Sequence, residues 1–291
     1  MRGSRRVAAD NDRHGWSARA LQSVPSGAAA QVRPAGRRPI DRSRGSSARS
    51  RPAPVLLLLC FLRAAPLGWA AEPPPTDFGD FIPTLGHDFT RGLFSKKNVA
   101  PLLVGGLAAA AVHPFDDQWT PKDESGSVGS TGAALGGPVV LGVVGGSLIA
   151  VPFTKNARFR AFTFDVTQAF IMDAVVVQSL KYAVHRTRPD QSNNKSFPSG
   201  HAADSFMLAT VLTHHYGKKF GIPVYALATF VAYSRVDKKK HFASDVVFGG
   251  TLGYVMARTA IRGHVERADK RIAWFPTVGR GCVGVSLALN L

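Results

Sequence analysis

Three short polar clusters between residues 181 and 245 decide how the whole chain is interpreted. They read Lys181-Tyr-Ala-Val-His-Arg-Thr-Arg188-Pro189, Pro198-Ser199-Gly200-His201, and Ser234-Arg235-Val-Asp-Lys-Lys-Lys-His241-Phe-Ala-Ser-Asp245. Each cluster borders an apolar stretch of helical length. Together they hold the residue types that grip a phosphoryl group and pass it to a nucleophile, namely cations, N–H donors and two imidazoles.

The cations have different chemistry. Lys181 ends a long apolar stretch, and Arg188 follows it beside Pro189, which stops a helix from continuing. Arg235 ends a second apolar stretch. Arg binds two phosphate oxygens through its planar fork, whereas Lys supplies a point charge. We therefore expect these three side chains to bind one anion.

The second cluster is typical of a helix start. Ser199 is a natural N-cap, because an Ala-rich apolar run follows it. A helix that begins there presents free backbone N–H groups to an anion, and Gly200 allows a close approach. His201 would lie in the first turn, within reach of the bound group. Taken alone, the same residues fit a capped helix with a surface histidine.

The third cluster pairs an imidazole with a carboxylate. His241 and Asp245 are four residues apart, so on a helix they share a face and the carboxylate can hold the imidazole in one tautomer. A histidine held in this way is a better nucleophile or base. Lys238, Lys239 and Lys240, inside this cluster, fit a solvated loop, and the alternative is that they steer an anionic substrate or lipid headgroup.

The three clusters resemble the signature of the phosphatidic acid phosphatase type 2 superfamily, which includes lipid phosphatases, bacterial acid phosphatases and vanadium haloperoxidases. That signature is Lys, six residues, Arg-Pro; then Pro-Ser-Gly-His; then Ser-Arg, five residues, His, three residues, Asp. Every specified position is present here, in the same order and with the same internal spacing. The helical pattern extends the resemblance to residues 99–262.

The resemblance implies a metal-independent phosphatase without a cofactor, acting on a phosphomonoester or diphosphate of a lipid or of a small molecule. His241 would attack phosphorus and become phosphohistidine, Asp245 would orient it, and His201 would protonate the leaving group. The residues that the resemblance assigns to phosphate binding are Lys181, Arg188, Ser199, Gly200 and Arg235. His185 and Arg186 receive no role, and Ser234 at most a supporting one.

Two other functions stay open at this stage. A vanadate-dependent haloperoxidase would hold vanadate in the same cage, bonded to His241, although proteins of that kind tend to be larger and soluble. A phospholipid-headgroup binder without turnover would keep the cations and need neither histidine.

Composition excludes several classes of protein. Of the formal net charge of +17, residues 1–51 carry +9 through twelve Arg and three Asp, so the remainder gives little support to nucleic-acid binding. Cys60 and Cys282 are the only cysteines and cannot form a disulfide framework. The nine His show no zinc-binding spacing, so no metal is predicted.

The N-terminal part divides into two predicted segments. Residues 1–71 combine a disordered Arg-rich stretch with a signal peptide or an uncleaved anchor, whose apolar core runs from Val55 to Leu62. Residues 72–98 form an amphipathic lead-in, because Phe and Leu recur at three- and four-residue steps, and Pro83 is expected to break that helix.

The central part predicts an all-α fold, a helical bundle of about six core helices, over residues 99–263. The apolar stretches are 99–112, 132–153, 161–180, 202–216, 222–233 and 246–257. Only 132–153 is uncharged and long enough to cross a bilayer unaided. Asp165, Asp173 and Asp204 would be costly in lipid, so they should face the interior. Residues 264–291 form a tail whose end alternates like a strand, a short β-like C-terminal ribbon.

Charge placement predicts the location. If all six stretches span, the basic loops fall on one side, and all three clusters fall on the other, outside the cytoplasm. We therefore expect a cell-envelope protein, membrane-bound or periplasmic, with its site on the non-cytoplasmic side. A cleaved signal conflicts with six spans, since it would place Glu72 outside while Lys96 and Lys97 should be inside. The substrate and the oligomeric state do not follow from the sequence.

Overall fold

The computed structural model describes residues 76–122, 126–269, 272–279 and 282–289, with side chains up to residue 265. The predicted Arg-rich segment and the signal or anchor lie outside these residues. The helices are α1 Phe81–His87, α2 Lys96–Val112, α3 Asp116–Trp119, α4 Gly126–Leu135, α5 Gly137–Ala150, α6 Ala157–Val184, α7 Gly200–Tyr216, α8 Lys218–Asp237 and α9 Ala243–Asp269. Two strands follow, β1 Ile272–Gly279 and β2 Cys282–Leu289.

The bundle is organised around α9, which packs against α7, α2 and α6. Its buried residues Val255, Met256 and Ala257 belong to apolar clusters shared with those helices. The predicted all-α bundle is therefore confirmed, and the predicted apolar stretches lie on helices apart from Gly136 within 132–153. The last helix continues to Asp269, past the predicted end of the helical region at residue 263.

One predicted stretch is interrupted. Residues 132–153 were expected to form one continuous helix, but α4 ends at Leu135 and α5 begins at Gly137. Gly136 between them has φ −78° and ψ −114°, and Pro138 stands in the first turn of α5. A Cβ at Gly136 would come 2.6 Å from Cδ2 of His201, so the break lets the backbone approach that imidazole.

The lead-in also differs in one detail. Pro83 was expected to break it, but Pro83 lies inside α1, two residues after its start. The first-turn N–H groups of a helix have no partner within the helix, so proline there removes no bond. Short turns continue the chain on both sides, a 3-10 turn at Phe78–Asp80 and a π-helical turn at Asp88–Gly92.

The acidic residues within the helices face the interior, as expected. Asp165 on α6 is 1% exposed and contacts His215 Nε2 on α7 and His264 Nδ1 on α9, each at 2.8 Å. Asp173 on α6 is hydrogen-bonded to Asp204 on α7, and a bond between two carboxyl groups needs a proton on one of them. These polar contacts join three helices.

Within the part of the chain that the structure describes, three regions are long and apolar enough to cross a membrane, by length and composition: Lys96–Trp119, Gly126–Phe153 and Ala157–Val184. The outward face of α2 exposes large apolar side chains, with Leu103 60% and Leu107 70% exposed. An apolar surface of this kind is typical of contact with lipid. The predicted membrane character is thus confirmed.

The predicted C-terminal ribbon is present. β1 and β2 pair antiparallel, with Ile272 opposite Leu289 and Gly279 opposite Cys282.

Two glycines let α9 approach α7 at backbone distance, and this contact sets the position of the second polar cluster. A Cβ at Gly249 would lie 2.4 Å from Ser199 O, and one at Gly253 would lie 2.0 Å from Ala203 O. Both obstacles are backbone atoms, which cannot rotate away. The position of Ser199 and His201 therefore depends on small residues on α9.

Replacing Gly253 with Ala is expected to destabilise the protein by about 3 kcal/mol, at the upper end of overpacking effects. Gly142→Ala is the matched control, because nothing lies within 4 Å of its added Cβ, and we expect a change within about 1 kcal/mol. Unfolding in detergent, followed by circular dichroism, compares the two. Equal stability of both variants would contradict the close packing of α7 on α9.

Candidate active site

The structure brings the predicted cations together around both imidazoles. Lys181, Arg188 and Arg235 each lower the pKa of His201 and of His241 through their positive charge. Burial is the larger cause at both rings, since it disfavours the charged imidazolium. These three cations, the two histidines and Ser199 form the set that we call the cage.

The cage contains buried donors without partners among the described residues. Nε of Arg188, Nε of Arg235 and Oγ of Ser199 make no hydrogen bond, although all three atoms are buried. Ser199 occupies the predicted N-cap position of α7, yet its hydroxyl does not cap the helix. Buried donors are nearly always satisfied in folded proteins, so these three atoms are candidates for contact with a bound anion.

The second cluster places backbone donors beside these groups. Gly200 and His201 are the first residues of α7, whose opening N–H groups have no partner within the helix. An anion at this position would also lie at the positive end of the helix dipole. The cage is therefore suited to a phosphoryl group with oxygens on several sides.

The tautomer of His241 follows from its contact. Nδ1 lies 2.5 Å from the carbonyl oxygen of Ser196, and a carbonyl oxygen only accepts, so Nδ1 carries the proton. Nε2 then keeps its lone pair, because the ring is neutral: its pKa lies well below the usual value. His241 is 2% exposed, which shields this nitrogen from bulk water.

Asp245 does not hold His241 in the way the sequence predicted. His241 precedes α9, which begins at Ala243, so the two residues do not share a helical face. Asp245 Oδ2 instead accepts from Ser196 Oγ at 2.5 Å and from Phe242 N at 2.9 Å. Because the carbonyl of the same Ser196 contacts His241, the carboxylate reaches the imidazole through Ser196.

Arg186, to which the sequence assigned no role, anchors this arrangement. Its Nη1 donates to Asp245 Oδ1 at 2.5 Å and to Ser244 Oγ at 2.9 Å, and its Nη2 donates to Asp116 Oδ2 at 2.8 Å. The guanidinium lies 4.1 Å from the centre of the Phe242 ring. Asp116 also accepts from Ser244 N at 2.9 Å. Arg186 therefore holds two buried carboxylates in fixed positions.

The lysine loop is partly structural. Lys240 Nζ lies 2.5 Å from Asp190 Oδ2, and Asp190 N donates to Lys239 O at 3.0 Å. The pair joins the loop after Arg188 to the turn before His241. Partial burial raises the pKa of Asp190. The hydrogen bonds from Lys240 and Ser192 and the charge of Lys240 outweigh this effect and lower the pKa to about 2. Ser234 donates within its own helix, to Val231 O at 2.6 Å.

His201 is poised to respond to an anion. Its ring is hydrogen-bonded to the backbone of Ala133 on α4, while burial and the cage cations lower its pKa to about 4. The ring of His201 is therefore neutral at pH 7. A bound dianion offsets the nearby positive charge and raises this pKa, so His201 takes up a proton as the ligand binds.

This coupling gives a pH dependence with a definite sign. Sulfate remains a dianion across pH 5 to 7, and we expect it to inhibit about tenfold more strongly at the lower end, because protonated His201 binds it better. The measurement is the inhibition constant of sulfate against pH. His201→Gln should remove most of the slope, and an unchanged slope in that variant would contradict the coupling.

Comparison with known proteins supports the sequence motifs. Residues 162–269 match the PAP2 superfamily, a segment that contains all three polar clusters. The predicted resemblance is therefore confirmed for this part of the chain.

Two individual proteins are similar. The chain is 36% identical over 84 residues to a lipid A 1-phosphatase of Porphyromonas gingivalis, an alignment that covers 28% of this chain and 19% of that protein. The aligned part thus spans about a fifth of this curated relative. A solved structure, a transmembrane PAP2 type phosphatidylglycerolphosphate phosphatase from Bacillus subtilis, shares 20% identity with a TM-score of 0.39, over 75% of this chain and 98% of that one.

Proposed function

We propose that the protein is a metal-independent phosphatase that hydrolyses a phosphomonoester or diphosphate of a lipid through a phosphohistidine at His241. The observation that carries the proposal is the cage, in which buried donors on Arg188, Arg235 and Ser199 have no acceptor. Lys181 adds a further cation, with its Nζ 3.3 Å from Lys195 O. Together they supply the positive charge that phosphoryl transfer needs.

The first step transfers the phosphoryl group. His241 Nε2 forms a bond to phosphorus while the bond from phosphorus to the leaving oxygen breaks. His201, protonated when the dianion binds, gives its proton to that oxygen. The alcohol or phosphate therefore leaves with one negative charge fewer than it would without the proton. The cations and the N–H groups at the start of α7 stabilise the charge on the equatorial oxygens.

The second step restores the enzyme. His201, now neutral, takes a proton from a water molecule. The oxygen of that water attacks phosphorus while the N–P bond to His241 breaks. Inorganic phosphate is released. Asp245 contributes by fixing Ser196, whose carbonyl keeps the proton of His241 on Nδ1 and the lone pair on Nε2.

Apolar helices beside the cage favour a lipid substrate held at a membrane. The name of the Porphyromonas relative makes the 1-phosphate of lipid A one candidate. The same cage would accept the terminal group of undecaprenyl diphosphate, phosphatidic acid or phosphatidylglycerol phosphate. On the charge distribution described above, we place the site on the non-cytoplasmic side of a cell-envelope membrane.

The test is a substrate panel with the purified full-length protein in detergent, with EDTA and no added metal. We expect phosphate release from at least one of these lipids, faster than from p-nitrophenyl phosphate, and inhibition by vanadate. A requirement for added metal would overturn the proposed chemistry. Tight lipid binding without phosphate release would indicate a headgroup binder, and oxidation of bromide by peroxide with vanadate would indicate a haloperoxidase.

A further inference from the structure

The membrane-length region that contains α2 ends in the short helix α3, beside the candidate active site. Helical turns run without a break from Lys96 to Trp119, first as α2, then as a 3-10 turn at His113–Phe115, then as α3. These 24 residues extend about 36 Å at 1.5 Å per residue, against about 30 Å for the hydrocarbon part of a bilayer. A helix of this length that crosses a bilayer has its ends at the two interfaces, so α3 belongs to one of them.

One face of α3 belongs to the candidate active site. Asp116 is 3% exposed, and its Oδ2 accepts from Arg186 Nη2 at 2.8 Å and its Oδ1 from Ser244 N at 2.9 Å. Thr120 closes the end of the helix, because both its backbone N–H and its hydroxyl donate to Asp116 O. α3 is therefore held in a fixed position relative to Asp245, to which Arg186 also donates.

The other face of α3 is aromatic. Phe115 is 45% exposed and Trp119 is partly exposed, and their rings stack with centroids 5.5 Å apart and planes at 18°. Leu107, Ala111, Phe115 and Trp119 follow at steps of four residues, so each side chain lies one helical turn from the next. Leu107 is 70% exposed, and Ala111 is also exposed. The aromatic pair therefore continues the apolar surface of α2 to the end of the region.

The residues at this end are those of a membrane interface. Asp117 and Gln118, which stand between the two aromatic residues in the sequence, are exposed. An exposed carboxylate is costly within hydrocarbon, whereas Trp is enriched at the level of the headgroups, where its ring has an apolar and a polar neighbour. The apolar surface on one side and the polar residues on the other place the rings between hydrocarbon and water. The partner that fits this surface is the lipid–water interface of a bilayer.

We propose that Phe115 and Trp119 form an aromatic anchor that binds the lipid–water interface on the active-site side and, through Asp116, sets the depth of the cage in the membrane. With the anchor at the level of the headgroups, the cage reaches the phosphate of a lipid that stays in the bilayer during turnover. The role in depth rests on the phosphatase function proposed above, whereas the anchor itself does not.

The anchor is tested without turnover, by fluorescence of the full-length protein in phosphatidylcholine vesicles. The other tryptophans, Trp16, Trp69 and Trp274, are replaced with Phe so that Trp119 alone is observed. We expect a quencher carried on lipid near the headgroup to quench Trp119 at least about twofold more strongly than one near the end of the acyl chain. Stronger quenching by the deep quencher, or quenching by iodide in water with neither lipid quencher effective, would overturn the anchor.

The role in depth is tested by comparing two kinds of substrate. Phe115→Ser/Trp119→Ser is expected to lower kcat/KM for the best lipid of the panel, carried in phosphatidylcholine vesicles, by about tenfold, because two interfacial rings are lost. Hydrolysis of p-nitrophenyl phosphate in water should stay within about threefold, since Asp116 and its contacts are kept. The matched control is Phe153→Ser/Phe220→Ser, which changes two Phe side chains with 88% and 62% exposure outside α3 and should leave both rates within about twofold.

Equal losses on both substrates would overturn the role in depth, because the aromatic residues would then act on the fold or on Asp116. Equal losses in the control would overturn it too, since any exposed ring would then serve. Trp119→Tyr should keep the vesicle rate within about twofold, because Tyr also favours the interface, and a loss as large as in the double variant would contradict the anchor. Absence of phosphate release from every substrate would refute the phosphatase function and with it the role in depth, while the quenching result decides the anchor.

Discussion

The variant His241→Ala is expected to lose phosphate release by about 10⁴-fold or more, because removal of a nucleophile abolishes the covalent route. Among the other described residues of the cage, Lys181, Arg188 and Arg235 carry positive charge, and His201 is assigned to proton transfer in the proposed mechanism. Because Nε2 forms the bond to phosphorus in the proposed mechanism, loss of His241 should affect the chemical step more than binding. The measurement is kcat and KM on the best substrate of the panel.

A control separates lost chemistry from lost structure. His113→Ala changes an exposed histidine outside the cage and should leave the rate within about twofold, since surface substitutions rarely matter. The missing bond to Ser196 O should lower the stability of the His241 variant by about 1 kcal/mol. A folded His241→Ala protein with ordinary turnover would disprove the assigned nucleophile.

The second large effect is expected for Arg186→Gln. This change leaves Asp116 and Asp245, which are 3% and 0% exposed, without their shared cation. Uncompensated buried charge destabilises by about 3 kcal/mol or more, and loss of orientation around a catalytic group costs about 10–100-fold in activity. We expect both losses, measured by thermal unfolding and by kcat.

The pH profile distinguishes positioning from general instability. Burial raises the pKa of Asp245, while the Arg186 charge lowers it. Without Arg186 that pKa rises further, so activity should be lost at a higher pH as the solution is acidified. Adding Asp116→Asn removes one uncompensated charge and should restore part of the stability. Arg158→Gln, which changes an exposed arginine, is the control. An equal loss of stability and kcat in that variant would contradict the role of Arg186 in holding Asp116 and Asp245.

Short motifs predicted the candidate site residues. The spacing of Lys181 and Arg188, and the Ser199-Gly200-His201 run, named side chains whose charges act on one another in the structure, and their roles remain predictions. Helices were predictable because long apolar stretches leave few alternatives.

The remaining features depend on contacts between distant residues. Arg186 lies 70 residues from Asp116, and nothing near either residue indicates that they meet. Ser196 connects Asp245 to His241 because the loop before α7 passes between them, and a helical spacing rule does not describe that loop. The break at Gly136 reflects the space that His201 needs, which is again a tertiary requirement.

The central step of the proposed mechanism is a covalent bond between His241 and phosphorus. Rapid quenching of the turning-over enzyme in alkali, followed by mass spectrometry of the peptides, tests it directly, because phosphohistidine survives base. We predict phosphate on His241, and none in the His241→Ala protein. Rapid turnover with no phosphorylated His241, or with the phosphate on another residue, would contradict the mechanism.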